Sequence, residues 1–127
     1  MEFDYTTITM KTFDAAVQAV QDEIVKAGWR VLYIHDVQKT LAEKGFEREP
    51  FKIIEFCSAK FANEFLNKDI KIGLCLPCKI NVYVKDGDTF ISGMRPIVLP
   101  QFFPQADLGE RPREIDQIIQ NIINNAK

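Results

Sequence analysis

A hairpin in the second half of the chain constrains the fold more than any other feature. From Lys79 the residues alternate, with Ile80, Val82 and Val84 on one side and Asn81, Tyr83 and Lys85 on the other. That is the two-residue period of a strand with one dry face. Asp86-Gly87 follows, a dipeptide suited to a tight turn because glycine takes positive φ without steric cost, and Thr89, Phe90 and Ile91 lead back as the partner strand. Upstream, Ile72, Leu74 and Leu76 alternate with Gly73 and Cys75, which predicts a further strand over 72–76. Pro77 interrupts it, because proline cannot donate to a ladder, and Cys75 and Cys78 flank the interruption.

The remaining elements fall into place around this hairpin. Residues 3–10 alternate as a first strand, and Thr12 is placed to cap a helix carrying Phe13, Ala16, Val17, Val20, Ile24 and Val25 at spacings of three and four, ended by Gly28. The run 29–34 is short, β-branched and aromatic, so it reads as a strand. Asp36 then caps a short helix that Gly45 stops. Residues 51–56 form another strand, with Cys57 and Ser58 at its end, before a helix with Phe61, Ala62, Phe65 and Leu66 on one face. Pro96, Pro100, Pro104 and Pro112 break up the segment after the hairpin, where Phe102 and Phe103 have no period. A last helix from about Pro112 carries Ile115, Ile118, Ile119, Ile122 and Ile123 as one apolar stripe. The order β-α-β-α-β-α-β-β-β-α predicts an α+β fold, a two-layer α/β sandwich whose mostly antiparallel or mixed sheet carries helices on one face.

With 127 residues, 46% of them apolar, the chain fits one domain over 1–127 with a single core. The net charge of −2 and the interspersed signs give no basic stripe for nucleic acid or an anionic membrane. No apolar run reaches membrane-spanning length, and the acidic residues near the N-terminus do not fit a signal peptide, so the expected setting is cytoplasmic. Three cysteines, an odd number, then read as reduced thiols.

Several of these residues resemble the pattern of a known family, the bacterial and archaeal domain of unknown function 302. The shared positions are Thr12-Phe13 and Ala16, Asp36-Val37, Leu41, Lys44-Gly45, Cys57 with Ala62, Gly73-Leu74, Leu76-Pro77-Cys78, Val82-Tyr83, and Met94 with Pro96. Ser58-Ala59 stands where the family usually has Asn-Pro, and Cys75 is a thiol the pattern does not require. The resemblance implies a two-layer α/β sandwich and a homodimer, and no activity.

The candidate chemistry centres on sulfur. Cys57 lies at a strand end just before a helix, where the helix dipole and unpaired N–H groups would lower a thiol pKa and make it nucleophilic. A buried cysteine acting as a small apolar residue is the plainer alternative. Cys78 is its expected partner across the sheet, the two sulfurs lining one hollow. Cys75-Leu-Pro-Cys78 has redox spacing but joins two strands instead of opening a helix, so the dipole argument fails there. Cys57, Cys75, Cys78 and His35 would make four zinc ligands, but the second close pair of a zinc signature is missing, so no metal is assigned. His35, the one histidine, and Met94 are of the types that ligate haem, and without a C-x-x-C-H site any haem would be noncovalent. No phosphate loop, dinucleotide fingerprint or nucleophile elbow is present.

Three readings follow: a dimeric binding domain taking a small molecule or cofactor near Cys57, Cys78, Met94 and His35; a thiol-based redox enzyme or sensor using Cys57 and Cys78; and an assembly protein whose Phe102-Phe103 arm and isoleucine-rich last helix make a subunit contact.

Overall fold

A computed structural model describes residues 3–127. Five strands, β1 (Asp4–Thr9), β2 (Arg30–Asp36), β3 (Phe51–Cys57), β4 (Cys78–Lys85) and β5 (Asp88–Met94), form one sheet in the order β1-β5-β4-β3-β2. Every neighbouring pair is antiparallel. The expected α+β sandwich is therefore present, with a fully antiparallel sheet. Asp86 and Gly87 both adopt positive φ, 52° and 84°, so the turn matches the right-handed twist of the strands it joins.

Helix α1 (Phe13–Lys26) begins at Thr12, whose hydroxyl accepts from the Ala15 N–H, and α2 (Val37–Ala42) at Asp36, which accepts from Lys39 N–H. Helix α3 (Ala59–Lys68) follows β3, a single turn α4 (Leu99–Phe102) lies in the proline-rich segment, and α5 (Arg111–Ala126) closes the chain. Among these helices none is long and apolar enough to cross a membrane. α1 covers β2, β3 and β4; α5 lies beside it, over β5 and β1. The core between layers holds Ala16, Val20 and Ile24 from α1, Ile54, Phe56, Ile80, Val82 and Ile91 from the sheet, and Ile115, Ile119, Ile122 and Ile123 from α5.

One expected element is different. Residues Ile70–Cys75 form a 3-10 helix, not a strand. Asp69 caps it by accepting from the Lys71 N–H, and of its apolar residues Ile72 alone is buried while Ile70 and Leu74 face solvent. The alternating apolar letters of 72–76 thus do not mark a dry face. In the isoleucine stripe of α5, Ile115, Ile119, Ile122 and Ile123 are buried in the protein's own core and Ile118 is half-buried. Of the Phe102-Phe103 arm, Phe102 is exposed and Phe103 packs against the core.

Gly93 sets how closely α5 approaches. A Cβ there would lie 3.1 Å from Ile123 Cδ1, 3.2 Å from Ile119 Cγ2 and 3.4 Å from Ile80 Cγ1. Gly93→Val should lower stability by about 1–3 kcal/mol in urea titration, because the added methyls must push α5 off the sheet. An unchanged midpoint would mean that the helix is not seated there.

Candidate functional site

The sheet's strand ends near Cys78 carry most of the residues of chemical interest. β4 starts at Cys78 directly opposite Phe56, so Cys78 shares the core-facing side. Cys57 pairs with Arg30, one position further along β3, and successive strand residues point to opposite faces. The two thiols are therefore neighbours along the sheet edge but lie on opposite sides of it.

Cys78 opens onto a small enclosed cavity of about 80 Å³. Its sulfur-bearing lining is Cys75, from the end of the 3-10 helix, Cys78, and Met94, from the end of β5. Phe65, Leu99 and Ile115 supply apolar walls, and Lys79 stands at the polar end, its ammonium 3.4 Å from the Pro77 carbonyl. The Leu76–Pro77 peptide in the connecting loop is cis. Of the residues singled out from sequence, Cys78 and Met94 are brought together here, whereas Cys57 and His35 are not in the lining.

His35 lies on the helix-free face, level with Ser92 and three strands away from β5. Three strand spacings put it about 14 Å from Met94's strand, so the two cannot ligate one haem between them. Its Nε2 is 3.0 Å from Glu55 Oε1, and its ring meets the edge of Tyr33. A cavity of about 80 Å³ is also far below the roughly 300–1,000 Å³ of sites that hold drug-sized ligands. The residues here do not fit haem.

Burial raises the Cys57 thiol pKa above its ordinary value, the opposite direction to that expected from the following helix. Ser58, the N-cap of that helix, makes no side-chain capping bond. Cys78 is pushed up to about 12, first by burial and then by the Cys57 thiol, with Lys79 pulling it down and Cys75 raising it. Cys57 and Cys75 thus both lie close enough to act on Cys78. Among the described residues, no three His, Cys, Asp or Glu side chains are gathered for a metal.

Two ion-pair networks were not foreseeable from spacing. Arg95 makes a two-pronged contact with Asp116, Nε to Oδ1 and Nη2 to Oδ2 both at 3.1 Å, and Gln120 Nε2 donates to Asp116 Oδ2 at 2.7 Å. They border an open hollow of about 500 Å³. Arg111 grips Glu64 through Nε at 2.6 Å and Nη2 at 3.1 Å, also meets Glu114, and lies over the Phe61 ring at 4.9 Å. These carboxylates raise its pKa further. Arg111 to Glu114 is an ordinary helical i,i+3 pair, but nothing local connects Glu64 to Arg111 or Arg95 to Asp116.

The fold and the cavity define a small α+β domain of the antiparallel-sheet sandwich type. The chain matches the model of the domain of unknown function DUF302 over residues 5–126 and belongs to that family. It is also similar to the crystal structure of an uncharacterised conserved DUF302 protein from Bacillus stearothermophilus, at 26% identity and a TM-score of 0.93, with all of both chains covered. No curated protein matches the chain.

Cys78 gives a stability test with a definite sign. Its folded-state pKa is raised, so the unfolded chain loses this proton first, and stability present below about pH 9 is lost as pH rises toward about 12. Over that window the fall attributable to one thiol approaches at most about 1.4 kcal/mol per pH unit. Relative to the unmodified protein, Cys78→Ala should show a flatter decline in urea stability between these limits; identical slopes would contradict a buried, protonated thiol.

Proposed function

We propose that this protein is a small binding domain that takes up a ligand of a few atoms in the cavity between Cys75, Cys78 and Met94. The observation that carries this reading is the cavity itself, which is apolar and better enclosed than the hollows beside Arg111 and Arg95. Its volume of about 80 Å³ compares with a liquid share of about 30 Å³ per water molecule. The ligand class is therefore an ion or a very small molecule. A thiolate mechanism at Cys57 and Cys78 would need depressed pKa values; both are raised, which favours binding over nucleophilic chemistry. A reducing, cytoplasmic setting suits three free thiols.

In an amide NMR titration with very small ligands, shifts should concentrate at 75–79, Met94, Leu99 and Ile115. Shifts confined to the surroundings of Arg111 or Arg95, or absent altogether, would reject the cavity as the site.

The domain is further proposed to act as a homodimer joined through the helix-free sheet face. By register that face presents a row of Ile8, Phe90, Tyr83 and Phe51, in which the three aromatic rings stack at 5.4–5.5 Å. Ile8 and Tyr33 are 49% and 60% exposed, and Asn81 Oδ1, in the middle of the face, is buried without a hydrogen-bond partner. Five strands about 4.8 Å apart and about 20 Å long give roughly 500 Å² per copy, or roughly 1,000 Å² for a pair. That reaches the size of a specific interface. Sedimentation velocity should give twice the 14.6 kDa chain mass, and Tyr83→Lys should shift the protein to monomer. A monomeric parent, or a dimer indifferent to Tyr83→Lys, would exclude this face.

A further inference from the structure

We infer that the cavity is a site for a soft monovalent metal ion, Cu(I) in biological terms, held by Cys75 Sγ, Cys78 Sγ and Met94 Sδ. The inference rests on the binding reading above and gives its ligand a chemical class. Three sulfur-bearing side chains, two thiols and one thioether, line one cavity of about 80 Å³. Each is partly buried and packed against the core. Soft thiolate and thioether donors select Cu(I) among biological metals, and this ion is satisfied by two or three sulfurs without water. Zinc, which wants four donors of thiolate, imidazole or carboxylate type, finds no such group among the described residues.

The charge balance of the site agrees. On binding, each thiol gives its proton to solvent, so two thiolates and one Cu(I) leave a net single negative charge. Lys79, solvent-exposed in the same lining, puts a positive charge near that site. Metal and thiolate charge arrive together, because each thiol gives up its proton only as the ion binds. Cys57, on the other face of the sheet, stays outside the set although its thiol is close enough to influence Cys78.

The test is anaerobic competition for Cu(I) against bathocuproine disulfonate, with the full-length protein reduced beforehand. One Cu(I) per chain should be retained, with a sulfur-to-copper charge-transfer band in the ultraviolet. Cys75→Ser and Cys78→Ser should each abolish retention, and Cys57→Ser should leave it unchanged. Met94→Leu, which conserves volume and preserves the fold, should weaken retention by at least the roughly tenfold that even outer-shell changes cost a metal site. Retention that survives Cys75→Ser with Met94→Leu, or that is lost in Cys57→Ser, would overturn the assignment. Absence of Cu(I) binding while small-ligand NMR shifts persist at the cavity would overturn the metal inference alone; absence of both would overturn the binding reading with it.

Discussion

Helix α5 reaches the sheet at a position without a side chain. Gly93 lets Ile119 and Ile123 close to 3.1–3.2 Å of where a Cβ would stand, and Ile115 and Ile122 complete the buried stripe. Burying four isoleucines contributes up to about 2 kcal/mol each, an upper bound because the unfolded chain already hides part of that surface. The half-exposed Arg111–Glu64 pair is screened by solvent and is worth far less. Apolar contact therefore sets where α5 lies, and ion pairs trim its orientation. Asp116, on the same helix, holds Arg95 just past the end of β5 and so fixes where the chain enters the Pro96–Val98 turn. The cavity inherits its walls from this arrangement, since Ile115 of α5 and Leu99 after that turn close it opposite Cys78.

The electrostatics of the cavity follow from the same burial. Cys78 opens a strand, with no helix start to favour its anion; burial and two nearby thiols disfavour that anion. Desolvation wins over Lys79, the one nearby group that pulls the other way. Among the groups acting on Cys78, Lys79 alone carries a positive charge, and it stands in the same lining. Cys57 also loses solvent, so the helix that follows it does not decide its protonation.

Much of the architecture was legible because local rules and tertiary packing agree. Thr12 and Asp36 cap the helices they precede, Asp86-Gly87 makes the turn its residues favour, and the stripe from Ile115 to Ile123 is buried as its spacing requires. Where the apolar pattern was short, it misled. Residues 72–76 alternate in letters, yet a single buried residue, Ile72, suits a 3-10 turn as well as a strand. The site was legible only in part. Met94 and Cys78 converge, but strand parity separates Cys57 from Cys78, and the register that decides parity depends on which residue pairs with Phe56. Cys75 gained its place in the cavity because its segment is helical, a fact that no spacing rule contains.

The central claim is that the hollow bounded by Cys75, Cys78 and Met94 is where this domain meets its ligand. The most direct measurement is a high-resolution crystal structure of protein isolated anaerobically from its own host, with anomalous data collected across the copper edge. The account predicts non-protein density inside this hollow, within bonding distance of sulfur and with an anomalous signal. A hollow filled only by water or collapsed on itself, with ligand density elsewhere on the protein, would contradict it.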